Sequence, residues 1–429
     1  MSLVVIVIPL LALLLTGIPI FAGLGLFGVG VLWFSQGTLG PIAEIMTSEI
    51  SRYLLVTIPL FAFMAHVMIR SKVIDDLYAT AFTLTRHLPG GLSIATIGAC
   101  ALFSAISGSS VATAITIGSV AIPQMIRYGY EPRAAYGLVA AGGTLGILIP
   151  PSGPMILYGV VTETSIGSLF MAGVVPGILV ALIFIAWSVL KNIFSKHAVK
   201  TEPRANIKEV LIALKNSFWA LCLPVFVLGG MYLGIFTATE AAATGALAAV
   251  LVGILIYQTI NLKDLWLAAE DAAQTSAMLF MIVAGASVFS YAITKLRIPQ
   301  QIVEWLIAIN MEAGAFILLM MALVFVLGMF LESIAIILLT MPVIMPAMIH
   351  LGINPVWYGV LLVINLEIAQ ITPPVGMNLF TIKAITKAPL FDIIMGALPY
   401  VFLLIFSLLV VYWWPEIALW LPRSIREVA

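Results

Sequence analysis

The feature that most restricts the fold is an internal register. Residues 122–176 lie on residues 345–399 without a gap, matching Pro123 to Pro346, Met125 to Met348, Gly129 to Gly352 and Pro132 to Pro355. The same register pairs Pro150-Pro151 with Pro373-Pro374, Gly153 with Gly376, Gly173 with Gly396 and Pro176 with Pro399. Gly and Pro are frequent in all membrane helices, but scattered punctuation does not hold one spacing over a stretch of this length. The chain is therefore read as two copies of one unit, a construction common among secondary transporters.

The solvent of those units follows from composition. Hydrophobic residues make up 62% of the 429 and charged residues only 9%, against about 25% charged in soluble proteins. Repeated apolar runs of membrane-spanning length make the lipid bilayer the frame in which elements are counted. With 19 basic and 19 acidic residues no global field recruits nucleic acid. The two cysteines, Cys100 and Cys222, sit inside apolar runs and read as small packed hydrophobes rather than a disulfide framework. The start, Met1-Ser2-Leu3-Val4-Val5, lacks the basic n-region of a signal peptide and is read as retained membrane segment.

Residues 3–35 as one helix would be about 50 Å long, too long for a hydrocarbon core of about 30 Å. A tight turn at Gly17 to Pro19 divides them, as Leu233-Gly234-Ile235-Phe236 does in the second half. The first repeat, 1–190, then holds spans 3–16, 18–35 and 52–70, a hairpin-like segment 93–124, an interrupted span 134–161 and a span 168–190. The basic linker 191–217, with Lys196, Lys200, Arg204 and Lys208, is expected in the cytoplasm. The second repeat, 218–429, holds spans 218–233, 239–260 and 275–294, hairpin 314–349, interrupted span 356–382 and span 391–412.

If each hairpin is re-entrant, every repeat makes five crossings, and an odd number inverts the second copy relative to the first. An N-terminus on the outer face puts Arg70, Lys72, Arg86, Arg127, Arg133, Lys383 and Lys387 in the cytoplasm, and Glu44, Glu49 and Glu163 outside. Lys295, Arg297, Arg423 and Arg426 fall on the other side from the rule. The expected fold class is an all-α polytopic membrane protein of two inverted repeats, each of five spans plus a re-entrant hairpin. Tyr412-Trp413-Trp414 and Trp420 read as an interfacial aromatic belt.

Interrupted segments in corresponding positions of two repeats point to a binding site. The first hairpin breaks at Ser107-Gly108-Ser109-Ser110, where hydroxyls and unwound carbonyls offer oxygens to a hard cation such as Na⁺; helix packing by small residues is the competing reading. Pro150 and Pro151 break the next span and free the carbonyls of Gly146 to Ile149, and the half-helix that follows presents its positive amino end. A helix merely kinked at the prolines is the plainer alternative. In the second half the break is Gln370-Ile371-Thr372-Pro373-Pro374-Val375-Gly376-Met377-Asn378, preceded by Asn365 and Glu367. Its hairpin partner reads Gly328-Met329-Phe330-Leu331-Glu332-Ser333. Glu332 and Glu367 are carboxylates at membrane depth, each either a functional group or a carboxylate satisfied by nearby amides. His66, His87, His197 and His350 show no metal-ligand spacing, and no nucleotide or catalytic motif appears. The chain is expected not to be an enzyme.

At Ser107 to Ser110, at Gly143 to Pro154 and at Ile371 to Asn378 the chain resembles the large membrane subunit of tripartite ATP-independent periplasmic (TRAP) transporters, over essentially its whole length. The resemblance implies a Na⁺-driven importer of the bacterial inner membrane with an elevator mechanism, in which a transport domain moves against a scaffold. It also implies two partners, a small four-span membrane subunit and a soluble periplasmic binding protein. One Na⁺ would look to Ser107, Ser109, Gly146, Ile149 and Pro151, and a second to Gly328, Glu332, Ala369, Thr372 and Pro374. Phe330 and Glu332 stand where the first repeat has serines, so side-chain ligation does not simply copy across. Substrate, a carboxylate such as a C4-dicarboxylate, sialic acid or another sugar acid, is expected between the tips near Ser110, Ser152, Gly153, Asn365, Gly376 and Asn378. A self-sufficient anion and Na⁺ symporter of similar architecture is the alternative within transport. A membrane-embedded enzyme or a non-transporting assembly subunit is the alternative outside it.

Overall fold

In hydrocarbon every backbone amide and carbonyl must find its partner inside the segment, so runs like these become helices. The computed structural model describes every residue except 1–8, 11, 14–15, 72, 195–200 and 427–429. Most of the expected first span 3–16, and Lys72, Lys196 and Lys200, therefore lie outside the described residues. Eight helices among those described are long and apolar enough to cross a membrane, with shorter apolar helices between them.

The first repeat runs α1 (Ile20–Gln36), α2 (Ile42–Ile50), a short 3₁₀ turn (Tyr53–Val56) leading into α3 (Thr57–Arg70), and α4 (Val73–Thr85). The hairpin α5 (Gly91–Ser107) and α6 (Ser110–Arg127), the broken span α7 (Pro132–Leu148) and α8 (Gly153–Thr162), and α9 (Ile166–Phe194) complete it. The second repeat runs α10 (Ile207–Tyr232), α11 (Ala238–Leu251, continued by a π-turn Val252–Ile256), α12 (Leu262–Lys295) and α13 (Ile298–Ala308). Its hairpin is α14 (Ala313–Gly328) and α15 (Ser333–His350), its broken span α16 (Pro355–Gln370) and α17 (Met377–Thr386). It closes with α18 (Leu390–Trp413) and α19 (Glu416–Arg426).

Two boundaries differ from the sequence expectation, each for a local reason. The linker is shorter than 191–217, because Asn206 accepts a bond from the Glu209 amide at 2.8 Å and starts α10 at Ile207. The span expected over 275–294 begins at Leu262, where Asn261 and Asp264 form a reciprocal capping box. No breaker follows, so α12 runs 34 residues, about 51 Å. In the first repeat the matching stretch is cut at Ser51 into α2 and α3. The connecting helices α4 and α13 have no counterpart in the expected spans, yet they occupy matching positions in the two repeats. The turn at Gly17 adopts φ +84° and Gly234 adopts φ +69°, conformations that favour glycine.

Helices pack in two groups, and the pairings cross between repeats. In one, α1 lies on α12 and α11 on α3, with Thr57 and Thr239 hydroxyls 3.0 Å apart and Arg70 on Asp271 at 2.6 Å. A Cβ at Gly28 would come within 2.9 Å of the Phe289 amide, so glycine sets the approach of α1 to α12. In the other group α6 packs on α17 while α15 packs on α8, so the second arm of each hairpin lies on the second half of the opposite broken span. Likewise α18 packs on α7 and α9 on α16. A Cβ at Gly137 would fall on the Gly396 carbonyl. The α4 helix lies between the groups, on α5 and α10, and Arg52 bridges them by donating to the Val160 carbonyl at 2.9 Å.

Candidate functional site

The hairpin α5–α6 ends in a two-residue tip because Gly108 adopts φ +60° and Ser109 then caps α6, its hydroxyl accepting from the Ala112 amide at 3.3 Å. The tip sits on the break of α7–α8. A Cβ at Gly108 would meet the Pro151 carbonyl, and one at Gly146 would stand 2.5 Å from the Ser109 carbonyl oxygen. The Gly153 amide donates to the Gly108 carbonyl at 3.4 Å. Ser107, Ser109, Gly146 and Pro151 are thus brought together, with Ile149 at the end of α7.

The prolines do part of what the sequence suggests. Pro150 has no N–H for the carbonyl of Gly146 four residues earlier, and that oxygen loses its helical donor. The expectation that every carbonyl from Gly146 to Ile149 is left free is corrected at one position: the Ile147 carbonyl accepts from Ser152 Oγ at 2.6 Å. Ser152 caps α8 with the same hydroxyl, the Met155 amide donating at 3.5 Å. Both Pro150-Pro151 and Pro373-Pro374 are cis.

The second tip is built differently. A Cβ at Gly328 would lie 2.5 Å from Ala369 Cβ, so α14 and α16 meet there, and the Val375 amide donates to the Met329 carbonyl at 3.1 Å. Thr372 Oγ1 donates to the Ile368 carbonyl at 2.6 Å and Gln370 Nε2 to Ser333 Oγ at 2.8 Å. Pro374 has no N–H for the Gln370 carbonyl. Glu332 precedes α15 but its carboxylate makes no capping bond; it faces a cavity instead. Glu367 is fully buried and, among the described residues, neither of its carboxylate oxygens has a hydrogen-bond partner. The reading of Glu367 as a carboxylate bonded to hairpin amides is therefore corrected.

Both tips open on one cavity of about 210 Å³. Four helix amino ends reach it, through Ser110 of α6, Gly153 of α8, Ser333 of α15 and Met377 of α17, each contributing partial positive charge. Of the expected substrate residues, Ser110, Ser152 and Gly153 line this cavity and Asn365, Gly376 and Asn378 do not. Asn365 is buried and donates to the Met321 carbonyl at 2.7 Å. Asn378 is buried and donates to Ser110 Oγ at 2.7 Å and the Ala140 carbonyl at 3.0 Å, tying the halves together. Buried amides between close-packed helices are drawn into such bonds. The opposite wall, formed by α3 and α12 with Ile58, Phe61, Met278 and Leu279, carries no signal in the sequence.

The family model for the tripartite ATP-independent periplasmic transporter, DctM component, matches residues 7–417. The chain belongs to the TRAP transporter large permeases. It is 38% identical to the C4-dicarboxylate TRAP transporter large permease protein of Pseudomonas aeruginosa, over 93% of each chain. It is 34% identical to the sialic acid TRAP transporter large permease protein of Vibrio cholerae, over 96% of each. Among solved structures, the YdaH transporter of Alcanivorax borkumensis superposes with a TM-score of 0.63 at 15% identity, covering 90% of this chain and 88% of the other. That likeness concerns the fold alone. As a TRAP permease the chain is a transporter component and not an enzyme, and it is an all-helical, multi-pass membrane protein.

Proposed function

We propose that this TRAP permease imports a small organic acid, of the C4-dicarboxylate, sialic acid or other sugar-acid type, in symport with Na⁺. The observation that carries the reading is the single cavity on which both hairpin tips, both proline breaks and four helix amino ends converge. Amino ends favour an anion. Carbonyls deprived of donors by Pro150 and Pro374 favour a cation beside it. Ser107, Ser109, Gly146, Ile149 and Pro151 would hold one Na⁺. Gly328, Glu332, Ala369, Thr372 and Pro374 would hold the second, with Thr372 Oγ1 offering its lone pairs to the cation while its hydrogen stays on the Ile368 carbonyl.

The hairpins and broken spans would move as one body against α1, α3, α10, α11 and α12, an elevator about two inverted repeats. The N-terminus would be periplasmic, the central linker cytoplasmic, and the membrane the bacterial inner membrane. A small four-span subunit and a periplasmic binding protein would complete the importer. Cation coupling meets the energetic need: an anion entering against 100 mV is opposed by about 2.3 kcal/mol per charge. Two Na⁺ per monoanion reverse that sign, and a tenfold Na⁺ gradient adds about 1.4 kcal/mol per ion.

The test is substitution at the tips of the reconstituted three-component system. Ser107→Ala with Ser109→Ala, and separately Thr372→Ala, should raise the Na⁺ concentration needed for half-maximal uptake. Uptake indifferent to both changes would favour an assembly role over translocation.

A further inference from the structure

The carboxyl end of α16 carries a group of oxygens that the two tip sites do not use. Glu367 is fully buried, neither of its carboxylate oxygens has a hydrogen-bond partner among the described residues, and no ion pair there includes it. Gln370, one turn on, donates Nε2 to Ser333 Oγ at 2.8 Å and leaves Oε1 buried with no partner. Residues three apart on a helix are neighbours, with Cβ atoms about 5–6 Å apart. Main-chain oxygens join them. The Ile371 amide turns back to the Ile368 carbonyl at 3.3 Å, so the Glu367 carbonyl, four residues before it, is left without its helical donor. Pro374 has no N–H for the Gln370 carbonyl. These oxygens lack donors at the end of the helix where its dipole is negative.

The fold itself does not call for them. The internal register places Thr144 at the position of Glu367 and Ile147 at that of Gln370. Thr144 is just as buried, and its hydroxyl is satisfied by donating to the Ala141 carbonyl at 2.7 Å; Ile147 has no polar side chain. The two acceptors therefore belong to the second repeat alone. A carboxylate taken from water without a partner is costly, and buried charges are paired or coordinate a metal. We infer that Glu367 and Gln370 hold a cation, Na⁺, at the carboxyl end of α16, apart from the two ions assigned to the tips. The donor set is all oxygen, and among the described residues no cluster of His, Cys, Asp or Glu stands ready for a transition metal, which suits a hard cation. Gln370 lines the tip cavity and Glu367 does not, so the ion reaches its place past the Gln370 amide. The choice of Na⁺ rests on the reading of Na⁺ as the coupled ion.

The experiment is equilibrium binding of radioactive Na⁺ to the purified complex of this chain with its small subunit, without substrate. Glu367→Gln keeps the shape of the side chain and removes its charge, and should bind one Na⁺ fewer per chain than the native complex. Glu367→Asp keeps the charge but withdraws it by one methylene. It should bind as many ions as the native complex while needing about tenfold or more Na⁺ to fill the last of them, and it carries the test if Glu367→Gln does not fold. An unchanged count in folded Glu367→Gln, the outcome if a water or a proton occupies the place, would overturn the inference. So would Glu367→Asp binding Na⁺ as the native complex does. The tip variants Ser107→Ala with Ser109→Ala, and Thr372→Ala, separate the two readings. Na⁺ lost in Glu367→Gln and in neither tip variant removes the tip sites and leaves this one. Na⁺ lost in the tip variants and not in Glu367→Gln does the reverse.

Discussion

Consider Gly146→Ala, a change of one methyl group at the contact between a hairpin tip and a broken span. The new Cβ would stand 2.5 Å from the Ser109 carbonyl oxygen and 2.8 Å from the Ser110 amide. A normal C···O approach is about 3.3 Å, so the tip must withdraw by about 0.8 Å. The obstacle is backbone on both sides, and no side chain can swing away to relieve it. Overpacking of this kind costs about 1–3 kcal/mol. If the Ser109 and Gly146 oxygens share a Na⁺, that energy appears as a 5- to 150-fold loss of apparent affinity, by the usual conversion of about 1–3 kcal/mol. The assay is the Na⁺ dependence of uptake in proteoliposomes, with thermal unfolding alongside to confirm folding. Gly98→Ala is the control: it lies on α5 of the same hairpin, and a Cβ there meets nothing within 4 Å. Removing a helical glycine should leave it neutral or up to about 1 kcal/mol more stable. An unchanged Na⁺ dependence in Gly146→Ala, with the fold intact, would refute the reasoning.

Gly137→Ala should lower thermal stability toward the upper end of about 1–3 kcal/mol, because the methyl group falls on the Gly396 carbonyl where α7 crosses α18; a normal unfolding midpoint would show that the crossing is looser than described. Asn378→Ala takes from Ser110 its side-chain partner and from the Ala140 carbonyl the bond it accepts beyond its helical one, and should cost about 1–3 kcal/mol of stability. In the same variant the substrate concentration at half-maximal uptake should stay unchanged; a selective loss of substrate affinity would restore Asn378 as a ligand. Arg52→Gln removes the bond to the Val160 carbonyl between the two helix groups. With Arg52 partly solvated, the loss is discounted to about 1 kcal/mol, or about a fivefold population change. Thiol labelling of a cysteine placed at Ile58, on the cavity wall, reads it; an unchanged rate would mean that nothing Arg52 bridges moves.

The plan of the molecule was written mainly in its prolines and glycines. Pro150-Pro151 and Pro373-Pro374 act through chemistry that no neighbour overrides, a missing N–H and a ring clash, and the breaks fall where the sequence puts them. Gly108 and Gly328 likewise mark both tips. Polar residues were less reliable guides. Asn365 and Asn378 read as ligands because they stand at the second double-proline break, yet a helix carbonyl satisfies each as well as a substrate would. Glu367 was the converse case: the sequence left it open between a functional carboxylate and one satisfied by nearby amides, and its oxygens have no hydrogen-bond partner among the described residues. The connecting helices α4 and α13 were invisible to a search for spans, since Asp75 and Asp76 in one and Gln300, Gln301 and Glu304 in the other interrupt the apolar run. The internal register would have found them, because each falls just before the hairpin of its own repeat. The apolar cavity wall had no signal at all. Ile58, Phe61 and Leu279 look like any residues of a membrane helix until the fold sets them opposite the tips.

The central claim is that an acid crosses at this cavity in company with Na⁺. The most direct test is accumulation of radiolabelled acid by proteoliposomes holding this chain, its small subunit and its loaded binding protein, with an inward Na⁺ gradient as the only driving force. Accumulation above the external concentration is expected, and for a monoanion it is greater still when the lumen is made negative, since two Na⁺ with one monoanion carry net positive charge inward. Equal accumulation with K⁺ or choline in place of Na⁺ would contradict the account.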